Sequence, residues 1–287
     1  MPVTAARIAS VLGVEHVRRE PWPYASSLPM ERIEIEGAPA LLFKDLTRSE
    51  ELHRPGFLSD RRREINAYAH VLGDVGVDAP RYRASLVDAD RAWLFLELVD
   101  GVPLWQVGEL EVWQEAARCL AALHASPEPA SARLLRYDAE HLRRRFALAG
   151  SLPRVAEIGI RVAERLAGLP TVLIHGEFYA SNVLVQREPG RVRVRPVDWE
   201  TVGVGPGVLD LAALTAGAWD GARRMEIERA YLDACPPELR PGPGDLDYAR
   251  LLLAAQWTGW SPGWSPPPEH RQDWAAVALE LIGRLEL

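Results

Sequence analysis

At 287 residues, 48% hydrophobic and 25% charged, the chain can bury a sizeable core as one large domain or two modest ones. Its net charge of −7 argues against a nucleic-acid surface and mildly favours a cationic partner, and Cys119 and Cys235 lie too far apart for a zinc site or a disulfide framework. The N-terminus lacks the basic start and apolar core of a signal peptide, and no apolar run reaches about 18 residues, so a soluble cytoplasmic protein with no membrane partner is expected.

In chain order, residues 4–12 read as a short helix, with Thr4 as N-cap and Ile8, Val11 and Leu12 at helical spacing. Extended segments follow at 15–19, 31–36 and 40–46, the last two joined by the turn Glu36-Gly37-Ala38-Pro39. Lys44, on the third of these strands, is the only lysine in the chain. A strand lysine is usually a solvated edge residue; a lone ammonium among arginines also suits a site that needs a compact charge for phosphate oxygens. Residues 59–72 make a helix with Ser59 or Asp60 as cap and Gly73 past its end. Ile65, Tyr68, Ala69 and Leu72 form its apolar stripe, and Glu64 flanks it. Strands at 81–87 and 93–98 are joined by the turn Asp88-Ala89-Asp90.

From there the pattern turns helical, at 111–124, 138–148 and 153–166, the second densely basic and the first ended by His124 as a C-terminal cap. The informative stretch is 172–200. An apolar strand, Val172-Leu173-Ile174, runs into His175, Glu177 and Asn182 in one loop; strands at 183–185 and 192–197 follow, and Asp198 ends the second. Two acids and an amide at neighbouring strand ends are the hard oxygen ligands and proton acceptor that a cation carrying a polyphosphate needs.

The pattern His175-x-Glu177-x-x-x-x-Asn182, then Asp198 at a strand end, resembles the catalytic loop of the protein-kinase-like phosphotransferases, above all their aminoglycoside phosphotransferase and small-molecule kinase branch. The resemblance implies a two-lobed α+β fold: an N-terminal nucleotide-binding lobe (1–98) with an antiparallel sheet and one helix, and a larger, mainly helical catalytic and substrate-binding lobe (99–287). It implies ATP and Mg2+ as cofactors, with Asn182 and Asp198 holding the metal. Lys44 would contact the α- and β-phosphates, steadied by Glu64, and Glu177, where the family has Asp, would take the acceptor proton. The carbonyl of Glu97 and the N–H of Val99 would bind adenine. In place of a glycine-rich phosphate loop the chain offers Tyr24-Ala25-Ser26-Ser27-Leu28-Pro29, with Ser26 and Ser27 as phosphate donors. His175 would brace the loop by hydrogen bonds.

Gly203-Val204-Gly205-Pro206-Gly207 is no dinucleotide fingerprint, since no βαβ unit surrounds it. Asp210 matches the family's structural aspartate that opens a helix and braces the catalytic loop; the short gap from Asp198 leaves no room for a long activation segment and favours a small-molecule acceptor. Helices follow at 223–234, 247–256 and 273–285. The Pro/Gly loop 257–268 between the last two carries Trp257, Trp260 and Trp264, which either wall a substrate pocket or pack the loop. Trp199 and Glu200, beside Asp198, join Trp257 and Trp260 as candidate acceptor contacts. His-x-Glu without Pro-Cys-x-x-Cys excludes a zinc deaminase. The expected activity is ATP-dependent phosphorylation of a small-molecule hydroxyl; the alternative is a nucleotide-binding pseudokinase, given Glu177.

Overall fold

The structure, a computed structural model, describes residues 3–23, 28–47, 56–58, 60–129, 134–150, 152, 154–217, 219–260 and 272–287, with Trp260 described in its backbone only. Thr4 caps α1 (Ala5–Leu12) by accepting the Arg7 N–H at 3.3 Å, and Gly13 ends it in the left-handed conformation. Then come β1 (Arg18–Pro21), β2 (Met30–Ile35), β3 (Ala38–Asp45), α2 (Arg63–His70), β4 (Tyr82–Val87) and β5 (Ala92–Glu97). The strands form one antiparallel sheet in the order β1-β2-β3-β5-β4. Alternation decides its two faces. Leu41, Phe43, Trp93 and Phe95 share a core with Ile8 of α1, while Leu94 and Leu96 join the core that holds Ile65 and Tyr68 of α2. Lys44 lies on β3 opposite Leu94, on the α2 side.

The mainly helical lobe contains β6 (Val102–Pro103), α3 (Leu110–His124), β7 (Leu135–Arg136), α4 (Ala139–Phe146), α5 (Val155–Ala167), β8 (Thr171–Ile174), β9 (Val183–Glu188), β10 (Arg191–Pro196), β11 (Gly203–Pro206), α6 (Val208–Leu214), α7 (Gly221–Ala234), α8 (Asp245–Trp260) and α9 (Trp274–Arg284). β9 and β10 form an antiparallel hairpin to which β6 adds. Leu120 of α3 and Leu173 of β8 belong to the same buried cluster as α2 and β5, so the lobes share one continuous core. Among the described residues no helix is long and apolar enough to cross a membrane.

Several elements differ from expectation. The first strand lies at Arg18–Pro21 rather than 15–19. Helix α2 starts at Arg63: Arg62 stands at the N-cap without a side-chain bond, and Asp60 spends its carboxylate on the Arg62 N–H. The other proposed cap, Ser59, lies outside the described residues. β11 is a strand that composition conceals. Its glycines are there for close approach: a Cβ on Gly203 would meet the Leu135 carbonyl at 2.5 Å, and one on Gly205 would meet the Tyr137 Cβ at 2.4 Å. That spacing lets β11 pair with β7 and β8 at once. Helix α8 runs through Trp260, so Trp257 is helical rather than the start of a loop.

Candidate active site

β8 delivers residues 175–182 into a loop whose backbone is held from below. Asp210, fully buried on α6, accepts the N–H groups of His175 at 2.7 Å and Gly176 at 2.8 Å. His124 approaches the same carboxylate with Nε2 at 3.4 Å while its Nδ1 meets the Tyr231 hydroxyl at 2.8 Å, so a ring protonated on Nε2 satisfies both. The His124 ring is thus spent on Tyr231 and Asp210 rather than on the carbonyls that end α3. Gly176, at φ 85°, could be nothing else: a Cβ there would lie 2.2 Å from the Tyr137 hydroxyl. His175 is also buried. Its Nε2 meets the Val197 carbonyl at 2.8 Å, and its Nδ1 accepts the Glu177 N–H at 3.3 Å. Burial holds its pKa below the ordinary histidine value, which fits a neutral bracing ring.

The loop ends at Asn182, whose Nδ2 donates to the Glu177 carbonyl at 3.0 Å; Oδ1 is therefore the atom a cation would meet. The Val197 N–H donates to the Asn182 carbonyl at 2.8 Å, which sets the two strand ends side by side. One residue on, Asp198 adopts the left-handed conformation at φ 66°, a region aspartate tolerates better than most residues. Its Oδ1 accepts from Lys44 Nζ at 2.8 Å, and the same ammonium donates to Glu64 Oε1 at 2.6 Å. Burial opposes charge on Lys44, but the carboxylates of Asp198 and Glu64 outweigh it and hold its pKa well above the usual lysine value. The lone lysine is thus no edge residue. It joins the sheet, α2 and the end of the β9–β10 hairpin.

Glu177 is mostly buried, and its Oε1 lies 3.8 Å from Nη2 of the buried Arg145, whose guanidinium sits 5.2 Å from the Tyr137 ring centre. Arg145 is the neighbour of Glu177 that the sequence did not single out. The signal was available: within the basic helix, His141, Leu142, Arg145 and Phe146 make a buried i, i+1, i+4, i+5 stripe.

Other candidates stand apart. Glu97 ends β5, but its carboxylate faces Arg195 at 2.8 Å and 2.9 Å, which depresses its pKa to about 2. Val99 is buried just beyond. Trp199 is fully buried, its N–H donating to the Pro196 carbonyl at 3.1 Å and its ring 4.4 Å from that of His175. Trp257 donates to the Tyr179 hydroxyl at 2.9 Å and stacks on Trp274. Both indoles are therefore core residues that brace the loop from behind, a correction to their expected place in an acceptor pocket. The Glu200 carbonyl accepts Arg63 Nη1 at 2.9 Å, and its side chain is half-buried. Ser26, Ser27 and the Trp260 side chain lie outside the described residues.

The profile of the phosphotransferase enzyme family matches residues 46–242. No curated protein sequence matches. Among solved structures, a microcompartment-associated aminopropanol kinase superposes with a TM-score of 0.65 at 16% identity, over 98% of this chain and 95% of the other. The choline kinase LicA from Streptococcus pneumoniae gives 0.65 at 16% identity, over 98% and 97%. A spectinomycin phosphotransferase solved with ADP and spectinomycin gives 0.61 at 14% identity, over 98% and 95%. The fold is the two-lobed α+β kinase-like fold expected from the catalytic loop, and with the profile covering more than half its length the chain belongs to the phosphotransferase enzyme family.

Proposed function

We propose that this protein transfers the γ-phosphoryl group of ATP to a hydroxyl of a small molecule. One observation carries the reading: Glu64 of α2 and Asp198 at the end of β10 both meet the Lys44 ammonium, at 2.6 and 2.8 Å, beside the loop bearing Glu177 and Asn182. The residues fit a hard cation. Asn182 Oδ1 and an Asp198 carboxylate oxygen are the donors that Mg2+ takes alongside phosphate oxygens and water. A bound Mg2+ would supply neutralisation of phosphate charge at these two donors. Lys44 presents its ammonium to phosphate oxygens, and its bridge to Glu64 fixes where that charge stands. Glu177 accepts the acceptor hydroxyl's proton, with Arg145 and the backbone around His175 keeping its carboxylate in place. Adenine meets the backbone of Glu97 and Val99, at a lobe boundary that we place at residues 98–99.

The structural relatives are named for aminopropanol, choline and spectinomycin, so a panel of hydroxylated amino alcohols, antibiotics and sugars is the test. Mg2+-dependent phosphate transfer from ATP to a panel member supports the reading. ATP binding with no transfer to any acceptor favours a regulatory pseudokinase instead. Once an acceptor is known, Glu177→Gln is expected to lower kcat about a hundredfold while ATP affinity persists, because it keeps size and removes the proton acceptor. An unaffected kcat would sink the general-base role. Lys44→Arg is expected to reduce kcat/KM for ATP at least about tenfold, since the guanidinium fork does not fit a pocket closed around one ammonium. Steady-state kinetics against ATP decide it, and unchanged values would demote Lys44.

A further inference from the structure

The last turn of the catalytic hairpin's second strand hides a second tie between the lobes. β10 reads Arg-Val-Arg-Val-Arg-Pro, and its third arginine, Arg195, is fully buried. A buried guanidinium persists only when its donors are matched. Here each nitrogen is. Nε donates to the Asp78 carbonyl at 3.2 Å, and Nη1 to Glu97 Oε1 at 2.8 Å and Gln186 Oε1 at 3.3 Å. Nη2 donates to Glu97 Oε2 at 2.9 Å and the Ala79 carbonyl at 3.2 Å. Arg193, on the same strand face, grips both Asp78 carboxylate oxygens at 2.6 and 2.7 Å. Asp78 and Ala79 lie in the connection from α2 to β4, and Glu97 is the last residue of β5. One guanidinium therefore fastens the connection after helix α2 and the end of β5 to the β9–β10 hairpin.

The register gives this clamp a relation to the chemistry. Arg195 stands three residues before Asp198; Leu41, the strand partner of Glu97, stands three before Lys44. Two cross-lobe rungs, Arg195–Glu97 and Asp198–Lys44, are thus about 10 Å apart along the strands. Apolar packing could replace a buried ion pair at little cost in stability, but it would not impose the direction that a planar bidentate fork imposes. We propose that Arg195 is a positioning residue for the nucleotide: by clamping Glu97 it holds the adenine-facing backbone at a fixed span from Lys44 and Asp198. This rests on the nucleotide reading above.

The test is calorimetric binding of a non-hydrolysable ATP analogue with Mg2+, with thermal unfolding and amide hydrogen exchange over residues 97–101 on the same samples. Glu97→Gln leaves the adenine-facing backbone intact and weakens the carboxylate end of the clamp together with the Oε2 contact to the Arg81 N–H at 3.1 Å, which Arg195→Met spares. Affinity is expected to fall about tenfold, as a displaced but folded site would give. Exchange at 97–101 should speed up while the unfolding transition stays cooperative. Arg195→Met should act in the same direction, and Arg195→Lys should not rescue it, because an ammonium cannot span Glu97 and two carbonyls. Unchanged affinity in folded Glu97→Gln overturns the proposal, even where Arg195→Met does not fold. A purely structural clamp would lower the unfolding temperature and leave the affinity alone. A wild-type chain that binds no ATP analogue overturns the nucleotide reading itself; unchanged exchange at 97–101 in Glu97→Gln would then show separately that the clamp does not hold the segment.

Discussion

Asp198→Ala is expected to abolish phosphoryl transfer while leaving the chain folded. The side chain is 38% exposed, so its loss removes little packing. Its carboxylate meets Lys44, which keeps Glu64 in the variant. What is lost is the anionic oxygen nearest the end of β10, with Asn182 left as the sole proposed metal donor. Loss of a metal carboxylate in such a site removes at least about 2.7 kcal/mol of transition-state stabilisation, a hundredfold in rate. Asp198→Asn separates charge from conformation, because asparagine tolerates the left-handed backbone that alanine resists. Both variants should lose activity, and the alanine variant should also lose about 1 kcal/mol of stability. A fall in turnover of less than about tenfold in folded Asp198→Asn, about 1.4 kcal/mol, would remove Asp198 from the metal site.

How far the site was legible depends on where each residue's partner lies in the chain. The spacing of His175, Glu177, Asn182 and Asp198 is set by a loop and one hairpin, so a local pattern carries it. Lys44 and Glu64 are twenty positions apart, yet a strand and a helix of ordinary form frame both, and the lysine is unique. Arg145 and Arg195 were invisible as individuals. Each sits in a run of arginines, and only burial against Glu177 or Glu97 distinguishes it from its solvated neighbours. The tryptophans misled for the opposite reason. Trp199 beside the proposed metal ligand Asp198 and Trp257 before a Pro/Gly run look like pocket walls, but a buried indole needs only one acceptor to be at home in a core. The Pro196 carbonyl and the Tyr179 hydroxyl supply those acceptors. β11 escaped because its glycines read as loop, while their reason is the nearness of Tyr137.

Asp210→Ala is expected to be the most damaging single change to the loop's architecture. The carboxylate accepts two backbone N–H groups, of His175 at 2.7 Å and Gly176 at 2.8 Å, and all three groups are buried or nearly so. Alanine leaves both N–H groups without an acceptor and strips His124 of its partner on one side. At roughly 1–3 kcal/mol for each stranded buried group, the loss is about 3 kcal/mol or more. Asp210→Asn is the sharper probe. Its amide presents one oxygen and one NH2, so whichever way it turns, a donor faces a donor at one of the two N–H groups, and it should recover less than half of the lost stability. Catalysis should fall with it, because these N–H groups anchor the turn on which Glu177 stands. Denaturant unfolding gives the stability, and hydrogen exchange at His175 and Gly176 gives the local effect: slow in the wild type, fast in both variants. If Asp210→Asn keeps wild-type protection at those two amides, the brace is not what holds the loop. The left-handed turn at Gly176 and the His175–Val197 contact would then have to hold it alone.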